Sequence, residues 1–193
     1  MRGDGDGWVV SEFGTYHWGV HGAAGLLLRA PWHDGSPAVL LQHRAPWSHQ
    51  GGTWALPGGA LDSHEHAEEA AVREAQEEAG LLADRIRVRT CVVTATVPGP
   101  GGAIWTYTTV VADACELLET VPNRESSELR WVPEDEVTHL PLHPAFARSW
   151  AGLRTVAAAP PHDCPRQQPH TVLVEPEIFA WCPAAGIGRC ATT

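Results

Sequence analysis

The sequence predicts an α+β fold built on a mixed β-sheet, and three observations predict it. Strand-like and helix-like segments are interleaved without the steady βαβ alternation of a doubly wound sheet. Hydrophobic residues make up 44% of the 193, enough for one buried core of ordinary size. The best helix, at residues 62–82, has strand-like runs on both sides of it.

The elements follow in order. Residues 1–17 read as an N-terminal arm, 18–154 as the domain, and 155–193 as a tail whose structure the sequence leaves open. Gly22–Arg29 and Ala38–Arg44 read as strands, separated by the turn residues Trp32 to Pro37. Thr53–Leu56 is a short apolar run ended by Pro57-Gly58-Gly59. The helix at 62–82 is dense in Ala and Glu, with Asp62 or Ser63 as N-cap and Gly80 as its stop. Arg85–Val97 and Ile104–Ala112 are strands by their Val and Thr content, joined by a Pro-Gly-rich loop. Leu129–Val132 is a short strand, Pro133–Val137 opens a helical turn, and His143–Leu153 is a second helix. In the tail, Thr171–Val174 could make one further strand.

Composition excludes several functions. The chain carries 13 basic and 23 acidic side chains, a formal −10, and every basic residue is Arg. That balance argues against a polymeric nucleic-acid partner, because phosphate contacts need clustered cations. A small phosphorylated substrate remains compatible if a metal ion supplies local positive charge. No apolar run is long enough to cross a bilayer, and no secretory signal is expected, so a membrane is not an expected partner and the expected location is the cytoplasm. The five cysteines fit no disulfide framework, and those in the tail fit no zinc spacing with His162 and His170. Abundant Ala, Arg and Gly without Lys suggest a GC-rich bacterial source.

Six glutamates lie between positions 65 and 78, and Arg73 is the only cation of the helix. At roughly 100° per residue, Glu74, Glu77 and Glu78 share one stripe with small alanines. Such a run by itself reads as a solvated acidic face. Carboxylates at i, i+3 and i+4 repel one another, however, and a solvated face ordinarily balances them with cations one turn away. Oxygen ligands carrying surplus negative charge are what a hard divalent cation takes. Arg73 can pair along the helix with Glu69 or Glu77, and such a pair also orients a carboxylate.

Gly59, five intervening residues, Glu65, seven more intervening residues, then Arg73-Glu74-Ala75-Gln76-Glu77-Glu78-Ala79-Gly80-Leu81 closely resemble the Nudix box. Every fixed position is filled; Ala75 stands where a larger aliphatic is usual. The resemblance covers about residues 18–153. It implies an α/β/α sandwich and a hydrolase that cleaves a pyrophosphate bond in a nucleoside di- or triphosphate derivative with magnesium, manganese being the alternative. It implies Gly59, Glu74, Glu77 and Glu78 as metal ligands, Glu74 as ligand or base, and Arg73 with Glu65 as the brace. Glu125, or failing that Glu128, is the candidate carboxylate from outside the box.

Arg44, Trp54 and Trp105 are the candidates to bind substrate, with Trp47 and His49 behind them. The segment Leu140–Phe146 resembles the MutT-like branch, which acts on oxidised (8-oxo-dGTP type) or ordinary nucleoside triphosphates. Hydrolysis of ADP-ribose or another dinucleoside diphosphate is the alternative, and a catalytically silent nucleotide sensor the alternative of another class. An isopentenyl-diphosphate-isomerase-like enzyme would need a reactive cysteine, for which Cys91 sits in a strand-like run. The oligomeric state, monomer or homodimer, is left open.

Overall fold

A computed structural model of the chain describes residues 3–156. The proposed strand at 171–174 and the tail cysteines lie outside those residues. The strands are β1 (Trp8–Val10), β2 (Tyr16–Trp18), β3 (Ala23–Pro31), β4 (Pro37–Arg44), β5 (Trp54–Ala55), β6 (Gly58–Ala60), β7 (Arg87–Pro98), β8 (Ile104–Asp113) and β9 (Ser126–Pro133). The helices are α1 (Ala67–Ala79) and α2 (Pro144–Leu153).

Seven strands form one mixed sheet in the order β5-β4-β3-β8-β7, with β6 also on β3 and β9 on β4. Its centre is the parallel pair β3–β8, from Ala23 opposite Tyr107 to Arg29 opposite Asp113. Eight of the nine residues of β3 are buried, because both faces of the sheet are covered. Alternation then sorts the side chains. Ala24, Leu26, Leu28, Val110 and Ala112 pack beneath α1 through Ala67, Ala70, Ala71, Ala75 and Ala79. Leu27, Val111, Val39 and Leu41 face the opposite way, toward Phe146, Trp150 and Leu153 of α2. The result is the α/β/α sandwich.

Two boundaries differ from expectation for identifiable reasons. Helix α1 begins at Ala67 behind His66, whose N–H is accepted by the Glu69 carboxylate at 2.8 Å. Asp62 and Ser63 do not cap it. Asp62 accepts the Gly5 N–H at 2.9 Å, and Ser63 donates to Asp4. After β9 the chain makes a short 3₁₀ turn at Val137–His139, later than the helical turn expected from Pro133. The N-terminal segment, expected as an arm, is a hairpin: Trp8 pairs with Trp18 and Val10 with Tyr16.

Candidate active site

Arg73 organises the acidic stripe. Its Nε donates to Glu65 Oε1 at 2.7 Å and its Nη2 to Glu65 Oε2 at 2.9 Å, a two-pronged pair. Nη2 also donates to the Ala60 carbonyl at 3.0 Å, and Nη1 to Glu74 Oε1 at 2.8 Å. One guanidinium thereby ties α1 to β6 and fixes two carboxylates. Its hydrogen bonds hold the Glu65 carboxyl below the ordinary range and raise Arg73 above its own. Glu77 lies looser, 4.0 Å from Nη1 and 60% exposed.

The two glycines upstream serve by close approach, and neither has a positive φ. A Cβ on Gly59 would lie 2.4 Å from Glu74 Oε1, and one on Gly58 would lie 2.2 Å from the Ala24 carbonyl oxygen. Only glycine lets β6 lie between β3 and the carboxylates. Glu78 is turned inward, 5% exposed, and accepts the Gly58 N–H at 2.9 Å. Burial pushes its carboxyl up to about 7, assisted by the nearby charges of Glu74 and Glu125. Burial also raises Glu74, against the opposing pull of Arg73.

Glu125 reaches this place because its loop caps α1. The Val121 N–H bonds the Ala79 carbonyl at 2.9 Å and the Asn123 N–H bonds that of Glu78 at 3.2 Å. Asn123 Oδ1 then accepts the Glu125 N–H at 2.7 Å, and the Glu125 carbonyl accepts from Ala45 beside Arg44. Glu128 is instead on β9 opposite His43, paired with Arg130 at 3.0 Å.

A cleft of about 930 Å³ opens at Gly58 and Gly59. Arg44 and Trp105 line it, as does the N-terminal turn of α2. Arg44 Nε donates to the His49 carbonyl at 3.0 Å. Trp105 donates its indole N–H to Gly19 at 2.9 Å. Trp54 is a correction: 4% exposed, it stacks on His43 and carries the Arg130 guanidinium 4.3 Å over its ring, and it does not line the cleft. Strand β5 faces that ring into the core. Its main chain still serves the site, because the Trp54 carbonyl accepts the His143 N–H at 2.8 Å.

Sequence reasoning missed two side chains here. His143 lines the cleft with Nδ1 accepting the Ala145 N–H at 3.2 Å, and burial with the charge of Arg44 pushes it down to about 4. The ring is therefore neutral near pH 7, with its remaining N–H at Nε2. Gln42 is buried beside Glu78, and its Oε1 has no hydrogen-bond partner. Gln42 carried no pattern that marked it, and His143 was not distinguished from the rest of the Leu140–Phe146 segment.

The donor set fits a hard divalent cation: all oxygens, with surplus negative charge and two carboxyls that burial holds above their ordinary range. Glu74, Glu77 and Glu78 do not all converge within 4.8 Å; among the described residues only Asp4, Asp62 and His64 do so. That trio is outside the cleft, and Ser63 and Gly5 already engage its two carboxylates. Arg73 holds Glu74 in its present orientation.

The model of the NUDIX domain matches residues 20–151. A Mycobacterium tuberculosis protein, provisionally named 8-oxo-dGTP diphosphatase 3, is 66% identical over 186 residues, covering 94% of this chain and 86% of its own. The crystal structure of a Nudix hydrolase from M. smegmatis, RenU, superposes with a TM-score of 0.78 at 68% identity, covering 81% of this chain and 99% of that one. A Caenorhabditis elegans Ap4A hydrolase complex matches at TM-score 0.56 and 19% identity, over 68% and 93% of the two chains, a likeness of fold alone.

Proposed function

The chain belongs to the Nudix family and is a pyrophosphohydrolase of the MutT-like kind, and we propose that its substrate is a purine nucleoside triphosphate, with the 8-oxo-dGTP type as first choice. The observation that carries this reading is the meeting, at Gly58 and Gly59, of a braced carboxylate stripe with a cleft that also holds Arg44 and aromatic rings. The name of the M. tuberculosis relative supports the oxidised guanine nucleotide.

Nudix hydrolases generally use divalent metals; for this chain we propose magnesium, with manganese as the alternative, held by the Gly59 carbonyl and by Glu74, Glu77 and Glu78. Such an ion supplies positive charge for the phosphate oxygens and makes a water easier to deprotonate. Arg44, which lines the same cleft as Gly58 and Gly59, meets the phosphates. Arg73 and Glu65 hold Glu74 in place, so little reorganisation remains for the reaction. Glu125 takes the proton of the attacking water, whose oxygen joins phosphorus as the bridging oxygen leaves with the bonding pair. Residues 18–154 are proposed as the catalytic unit and the cytoplasm as its location; no described helix is long and apolar enough to cross a membrane.

Incubation with magnesium and a panel of 8-oxo-dGTP, dGTP, ADP-ribose and diadenosine tetraphosphate, with product identification, tests the reading. Preference for the two triphosphates is expected. Preference for ADP-ribose or the dinucleotide overturns the substrate assignment, and no cleavage at all overturns the catalytic one.

A further inference from the structure

We propose that the β1–β2 hairpin is the wall on which the base of the substrate stacks, with Trp8 as its stacking residue; this rests on the reading of the cleft as a nucleoside triphosphate site. The hairpin precedes residues 20–151, the extent of the shared family domain, yet it closes the same cleft that opens at Gly58 and Gly59. It thus brings residues from outside the matched family domain to the reaction centre, and function resides in the site rather than in the shared fold.

Two lines of rings frame the cleft. On one side Trp18 lies 5.1 Å from Trp8, Trp8 lies 5.6 Å from His49, and His49 lies 6.4 Å from His143. On the other, His17 lies 4.7 Å from Trp105. Arg44 is bonded to the main chain of His49, so the first line runs from the phosphate end of the cleft to the hairpin. Trp8 remains 50% exposed. Its ring contacts are edge-on, at 72° and 67°, so neither neighbouring ring lies flat against it. A flat heteroaromatic base is the group that fits such a face, since stacking on aromatic side chains tolerates any base.

The hairpin is also fixed in place, as a recognition wall must be. Its strands have three residues each, too short to hold by themselves. The Gly7 carbonyl accepts from Gly19 at 2.8 Å, the Gly5 carbonyl from Val20 at 2.9 Å, and the Pro98 carbonyl from Glu12 at 3.0 Å. Asp62, at the approach to the acidic helix, accepts the Gly5 N–H. The base wall and the loop leading into the carboxylate stripe are thereby one connected piece, and the backbone that carries Trp8 needs no ordering on binding.

The test uses the full chain and two substitutions, Trp8→Ala and Trp8→Phe. Calorimetry with magnesium measures binding of the α,β-imido analogue of dGTP and, separately, of inorganic tripolyphosphate, which has no base. Trp8→Ala is expected to weaken the analogue about tenfold or more, to leave tripolyphosphate unchanged, and to raise KM for dGTP with kcat retained. Trp8→Phe, which keeps a flat ring, is expected to restore most of the affinity. Unchanged binding of the analogue by Trp8→Ala overturns the proposal, as does an equal loss for both ligands. If the wild-type protein binds the analogue but cleaves no member of the nucleotide panel, the catalytic reading fails, and the calorimetric comparison still decides for or against the hairpin.

Discussion

Gly59 shows how much of this site depends on one missing methyl group. A Cβ there would lie 2.4 Å from the Glu74 carboxylate, so Gly59→Ala is expected to displace Glu74 and lower activity by at least tenfold. Because the clash is with a side chain, the melting temperature should move by only a few degrees; calorimetry and steady-state kinetics together check the pair. Glu78 gives a prediction with a sign. Its carboxyl is raised to about 7 in the fold by burial, so between about 4.5 and 7 the metal-free native state binds more protons than the unfolded chain. Stability from this group is therefore fully present at low pH and falls as pH rises through that window. Glu78→Gln removes the dependence. In EDTA at pH 8 it should melt higher than the wild type, by a difference on the order of 2–3 kcal/mol, and magnesium should reverse the order by stabilising the wild type alone. A wild type equally stable at pH 5.5 and pH 8, once other groups are subtracted through the mutant, contradicts the burial of this charge. At this scale the sequence was most legible where residues repeat with helical spacing, as in Arg73, Glu74, Glu77 and Glu78. It was silent on Gln42, whose partner Ser126 is far away in sequence, it did not single out His143 within its segment, and it misdirected at Trp54, because facing on a two-residue strand leaves no period to read.

Helix α1 was the most readable element, yet its start was placed too early. Asp62 and Ser63 have the chemistry of N-caps, but Gly5 and Asp4 engage them, a competition visible only once the N-terminal hairpin is in place. The hairpin itself escaped notice because its two strands are short and rich in half-exposed aromatics, without clean alternation. The close seat of α1 on the sheet follows from its alanines. Ala70, Ala71, Ala75 and Ala79 are all 0% exposed, so the helix lies near the β3 backbone and brings Glu74 and Glu78 to β6. Ala71→Leu inserts three carbons into that layer. It should cost about 1–3 kcal/mol and reduce turnover by lifting the carboxylates away from Gly58 and Gly59. A substitution that lowers stability while leaving kcat unchanged would show that helix height does not set the site.

For the whole molecule, the sandwich was legible from composition and element order, whereas the strand order was not. Residues of β3 and β8 pair in parallel across about eighty positions, and no local pattern encodes a partner so distant. One buried ion pair joins the layers. Arg29 donates to Glu134 at 2.6 Å and to the carbonyls of Val156 and Leu153 at 2.7 and 2.9 Å, closing the end of α2 from within the sheet. Arg29→Met leaves Glu134 buried without its closest partner and is expected to cost about 3–5 kcal/mol, readable in urea unfolding. Since α2 also presents His143 and Ala145 to the cleft, KM should rise with it.

The carboxylates of α1 must hold the ion that the reaction needs, and manganese titration followed by electron paramagnetic resonance tests that most directly. The wild-type protein is expected to bind manganese, Glu74→Gln and Glu78→Gln to lose the binding by tenfold or more, and Asp62→Asn to keep it. Manganese held undiminished by both glutamine variants, or lost with Asp62→Asn, would place the ion elsewhere and contradict the account.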